Sequence, residues 1–130
     1  MSSLYDKLQE DKKIYENKIQ NECDEICIDI ENKIKEENLN GFNNYTYVFK
    51  NKLQFDRFSY GIIEYFKNKG VYCRKGHEYY ENYIPIKYYI EFKWDKTLEE
   101  YMIIEKIKNI SSVIVLFGII FGIILMLAFN

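Results

Sequence analysis

Residues 110–129 read ISSVIVLFGIIFGIILMLAF. Only Ser111 and Ser112 are polar there, and no charged side chain occurs between Asn109 and Asn130. Twenty residues wound as a helix rise about 30 Å, the thickness of the hydrocarbon core of a bilayer. The alternative, a buried core helix, asks the 109 residues before it to cover every side of an apolar rod. A body that small lacks the surface to do so. The run is therefore read as a transmembrane helix. Within it Gly118 and Gly122 form G-x-x-x-G, a spacing that lets two helix backbones pack closely in lipid, and they mark a candidate helix-dimer face.

Reading outward, Lys106 and Lys108 flank the span on its N-terminal side. The positive-inside rule then places residues 1–109 in the cytoplasm and the C-terminus on the far side. Met1 to Asp6 leads straight into charged sequence with no apolar run, so no secretory signal is expected. A GPI signal is not expected either, since it needs that leader. The expectation is a single-pass, tail-anchored membrane protein. Thr97 and Glu100 make a T-x-x-E capping box. Neither Pro nor Gly occurs from Leu98 to Phe117, so one helix should run from the cap into the span. Residues 97–130 thus form the anchor segment, with the span at about 110–129.

Before the anchor, residues 86–94 (IKYYIEFKW) alternate strictly. Ile86, Tyr88, Ile90, Phe92 and Trp94 share one face and Lys87, Tyr89, Glu91 and Lys93 the other, the pattern of a strand with one buried face. Residues 45–50 (YTYVFK) and 71–75 (VYCRK) read as further strands. Residues 53–69 read as a helix with Leu53, Phe55, Phe58, Ile62, Tyr65 and Phe66 on its apolar side, stopped by Gly70. Gly61 inside it costs about 1 kcal/mol relative to Ala. Residues 76–85 read as a loop or ragged hairpin connection. The fold class is α+β: a long helix over residues 1–40, then a β-α-β-β unit over residues 41–96. Its sheet has three antiparallel strands, the last one central, with helices on one face.

The first helix opens with Ser3 and Asp6, a capping box with Asp in place of Glu, and stops at Asn38, Asn40 and Gly41. Leu4, Leu8, Tyr15, Ile19, Ile26 and Ile30 follow an 11-residue repeat, close to a straight helix. Cys23, Cys27 and Ile34 widen the stripe. Such a helix spans about 54 Å, whereas strands of 5–9 residues reach roughly 17–30 Å. The denser C-terminal half should pack on the sheet. The N-terminal half, with Leu4, Leu8 and Tyr15, should overhang and seek a second chain, either a copy of itself or another protein. The alternative is a break near Asp11–Lys13 and a fold back.

The net charge of −2 hides an asymmetry: residues 1–40 carry a net −5 and residues 41–97 a net +4. Mutual attraction within the fold is the favoured reading, ahead of a basic face on anionic headgroups. No Lys/Arg run is dense enough to imply a nucleic-acid partner. Abundant Ile, Lys, Asn and Tyr point to an AT-rich genome. Three cysteines in a reducing cytoplasm predict no disulfide. No motif of a P-loop, a nucleophile elbow, a zinc protease or a C-x-x-C pair is present. The one metal-like pattern is Cys23 and Cys27, four apart, with Cys73 and His77, four apart: a Cys3His set would suit zinc, the only cofactor considered. Buried Cys acting as a small apolar residue is the competing reading. Tyr79, Tyr80 and Tyr83 gather near Pro85 as a candidate contact surface.

Three segments, IIEYFKNKG at 62–70, VYC at 71–73 and YYIEFKW at 88–94, resemble small uncharacterised accessory proteins of phages and large AT-rich DNA viruses. In these a helix ending in a K-x-K-G-like stop precedes a hairpin closing on an aromatic residue. The resemblance implies a viral or phage accessory role and carries over no functional residue. The expected function is a membrane-tethered interaction or scaffolding module, whose partners are the bilayer and a protein or second copy. A zinc-stabilised binding domain is the alternative, and a membrane-tethered enzyme ranks third.

Overall fold

A computed structural model describes residues 3–79 and 85–129, with backbone only at Pro85 and Ile86. In chain order the elements are α1 (Leu4–Leu39), β1 (Asn44–Val48), α2 (Lys52–Asn68), β2 (Tyr72–Tyr79), β3 (Pro85–Lys93) and α3 (Leu98–Ala128). They divide into two compact units, Met1–Asp95 and Lys96–Asn130. The long first helix shares a core with the β-α-β-β segment, so the two sequence segments 1–40 and 41–96 make one α+β body.

Local chemistry sets the helix ends. Ser3 Oγ accepts from Asp6 N at 3.2 Å and Asp6 Oδ2 accepts from Ser3 N at 3.3 Å, completing the capping box of α1. Gly41 leaves α1 at φ +86° and Gly70 leaves α2 at φ +78°. A side chain disfavours that left-handed backbone, which is why glycine stands at both stops. Asn51 Oδ1 caps α2 by accepting from Gln54 N at 2.9 Å. Thr97 Oγ1 caps α3 by accepting from Glu100 N at 3.2 Å.

The sheet has the order β1-β3-β2, with both pairings antiparallel. The alternating strand β3, the last and longest, is central, as the β-α-β-β order predicts. Tyr45, Phe92 and Cys73 lie in one cross-strand row on the helix-covered face, and Thr46, Glu91 and Arg74 in a row on the other. The core gathers Cys23, Cys27 and Ile30 from α1, Phe58, Ile62 and Phe66 from α2, and Cys73, Ile90 and Phe92 from the sheet, with Phe49. The rings of Phe66 and Phe92 meet edge to face at 4.8 Å. Two sequence expectations are corrected. β2 does not stop at Lys75: it continues through Gly76 and His77 to Tyr79, paired with β3 throughout, and its register shifts between Glu78 and Tyr79. Glycine disguised that stretch as a loop, but the ring of Tyr89 on β3 occupies the space above Gly76, where a Cβ would come within 2.7 Å of it. Leu53, assigned to the apolar side of α2, is exposed.

Candidate interaction surface

The sheet is too short for α1. From Leu4 to Lys18 every residue of α1 is exposed, and Ile19 is the first to pack against the core. The overhang is about 22 Å of unbroken helix. The helix shows no break near Asp11–Lys13. Its stripe does not become polar on leaving the core: Leu4, Leu8 and Tyr15 are 73%, 54% and 53% exposed. Ile14 and Tyr5, which the stripe did not include, are exposed beside it. The overhang carries Asp6, Glu10, Asp11 and Glu16 against Lys7, Lys12, Lys13 and Lys18, a balance of zero. The remaining residues, 19–40, hold the whole −5 of the segment. Exposed apolar side chains in a row, unlike scattered ones, make the overhang a candidate binding face.

An ion pair joins that acidic half to the basic segment. Glu31 accepts from Lys69 Nζ at 3.0 Å and from Tyr65 Oη at 2.9 Å. The Lys69 and Tyr65 hydrogen bonds hold the Glu31 carboxyl below its ordinary range. On the open face of the sheet Glu91 pairs with Arg74 at 3.1 Å and Lys93 at 3.2 Å, and Lys87 with Glu78 at 3.8 Å. Burial pushes the Glu91 carboxyl up, but the hydrogen bonds from Lys93 and Arg74 outweigh it and keep it low. These basic residues are therefore met by carboxylates in their own domain.

The cysteines lie inside the core. Cys23 and Cys27 lie one turn apart on the buried side of α1. Cys73 donates to the Ile63 carbonyl at 3.8 Å. His77 is exposed on β2, its ring 4.5 Å from that of Tyr79 and edge-on to it. Among the described residues no three His, Cys, Asp or Glu side chains are grouped as a metal would require. Burial pushes the Cys27 thiol up to about 12 and the Cys73 thiol up to about 11, so both stay protonated at neutral pH and behave as small apolar groups. Cys23 has a further role that its residue type did not reveal. It fills the crossing of α1 and α2 at Gly61, where a Cβ would stand 2.9 Å from its Sγ. The only sequence signal was a glycine in mid-helix.

Tyr79 is exposed at the end of β2. Tyr80 and Tyr83, the other two members of the tyrosine cluster, lie outside the described residues. In the second unit α3 is one uninterrupted helix, long and apolar enough to cross a membrane. Ser112 Oγ donates to the Lys108 carbonyl at 3.0 Å, which satisfies its hydroxyl without water. Nothing lies within 4 Å of a Cβ placed on Gly118 or Gly122, so both leave an open notch on the helix surface.

No protein-family model, curated protein or solved structure matches this chain.

Proposed function

We propose that α3 anchors the chain in a bilayer as a single span and that the α+β body is an interaction module on its cytosolic side, with the α1 overhang as its docking element. One observation carries the reading. The apolar stripe of α1 continues for 15 residues beyond the core that its other half fills, on an unbroken helix. Among the described residues nothing in the body's own packing uses Leu4, Leu8 or Tyr15, and leaving them in water forgoes about 1.5–3 kcal/mol for each large side chain that a partner would bury. The orientation follows from Lys106 and Lys108 at the entrance to the span. A tail-anchored scaffold of this kind suits a viral or phage assembly site, the context implied by the sequence resemblance.

Two measurements test it. The full chain should stay in the membrane pellet through an alkaline carbonate wash, while a chain ending at Lys108 is released; equal release removes the anchor. A protein or second copy should co-purify with the wild-type chain and be lost with Leu8→Ser/Tyr15→Ser. Retention of every companion by that variant removes the overhang as the docking element.

A further inference from the structure

We infer that the occupant of the overhang is a second copy of this chain, its α1 lying antiparallel across a two-fold axis between Asp11 and Lys12. The inference rests on the docking role proposed for the overhang and adds what docks there.

The first argument is the order of the stripe. Leu4, Leu8, Tyr15 and Ile19 are spaced 4, 7 and 4, which reads the same in both directions. At about 100° per residue they fall within roughly 60° of one another on the helix surface. Laid antiparallel about the midpoint of 11 and 12, Leu4 meets Ile19 of the other copy, Leu8 meets Tyr15, and Asp11 comes level with Lys12. The one polar break in the stripe is thus filled from both sides by opposite charges. A two-fold contact must be self-complementary in this sense.

The second argument is steric. Ile26 and Ile30 continue the same line on the helix and are packed against the core. The body of the domain therefore lies on the same side of α1 as the stripe. A parallel copy in register would drive its own residues 19–39 into the space held by α2 and β1. An antiparallel copy avoids this. Each packed half departs beyond the other's Ser3, and each body sits past the tip of the other helix.

The third argument is charge. The overhangs are neutral and the packed halves carry −5 each. Antiparallel pairing brings the neutral halves together and leaves the acidic halves at opposite ends, about 20 Å apart or more. That exceeds the screening length of about 8 Å at physiological salt. Parallel pairing sets −5 beside −5. The contact is short, and anchoring both copies in one bilayer raises the effective concentration that sustains it.

The test uses the full chain in mild detergent micelles. Leu8→Cys and Tyr15→Cys are made as separate chains, then oxidised alone and as an equal mixture, with the wild type reporting its three buried thiols. Both positions are more than half exposed, so unchanged melting temperatures are expected and confirm folding. The mixture should give a disulfide-linked heterodimer. Each variant alone should give none, because its own two thiols stand about 10 Å apart along the pair. Linkage of Leu8→Cys alone, as strong as in the mixture, means a parallel pair and overturns the inference. No linkage in any folded sample also overturns it. The anchored-module reading would survive that result, since carbonate extraction and co-purification decide it separately.

Discussion

Gly61→Ala should act in opposite directions depending on a residue of another helix. In a helix interior, Ala is favoured over Gly by about 1 kcal/mol, so considered alone the substitution stabilises. In the folded chain the new Cβ would stand 2.9 Å from Cys23 Sγ, well inside the roughly 3.5–4.0 Å of ordinary contact. Cys23 is buried in the core, so it has little freedom to retreat. Overpacking of this kind costs about 1–3 kcal/mol. The net effect in the wild-type background is then a loss of about 0–2 kcal/mol. In a Cys23→Ala background the obstructing sulfur is gone and the gain of about 1 kcal/mol should return. The coupling between the two sites, about 1–3 kcal/mol, is read from a double-mutant cycle of urea unfolding in micelles. Trp94, the sole tryptophan, is a suitable probe, because its Nε1 donates to Asn38 Oδ1 at 3.1 Å and so reports the docking of α1. If Gly61→Ala stabilises both backgrounds equally, the two helices do not cross at this point and the reasoning fails.

Three further outcomes follow from the same packing. Ile30→Ala removes a side chain that is 1% exposed and should cost about 2–5 kcal/mol, lowering the melting temperature on the order of 10–30 °C. Leu8→Ala should stay within about 0.5 kcal/mol, and equal losses from the two would show that the whole helix belongs to the core. Because Lys69 and Tyr65 hold the folded Glu31 carboxyl below the ordinary value of 4.5, its contribution is present above that pH and fades as the pH falls through the folded value. Glu31→Gln should therefore lose at most about 1 kcal/mol at neutral pH and flatten the acid limb of stability; an unchanged acid limb would refute the pairing. Finally, a chelator should leave the melting temperature unchanged if the thiols serve as apolar packing, and a fall on chelation would instead favour the Cys3His zinc reading.

Wherever neighbours along the chain make the decision, the sequence determined the outcome. The apolar run that becomes the second half of α3 needs no tertiary information, because its length and lack of charge are properties of consecutive residues. The capping pair Ser3 and Asp6 and the stops at Gly41 and Gly70 act within one turn of helix, and they set the helix ends. The strict alternation of β3 requires one buried and one open face, and the β-α-β-β order with its last strand longest gave that strand the centre of the sheet. Comparing helix length with strand length even foretold the overhang. Tertiary structure alone decided what depends on residues far apart in the chain. Gly76 is strand because Tyr89 stands over it. Cys23 is a contact point because Gly61 lies opposite. Glu31 is held by Lys69, thirty-eight positions away. Cys73 sits in the core while His77, four residues on along the same face of β2, is exposed. Residue type and spacing record what each side chain can do. Which partner it meets is settled only when strand pairing and helix crossing bring distant segments to within a few ångströms.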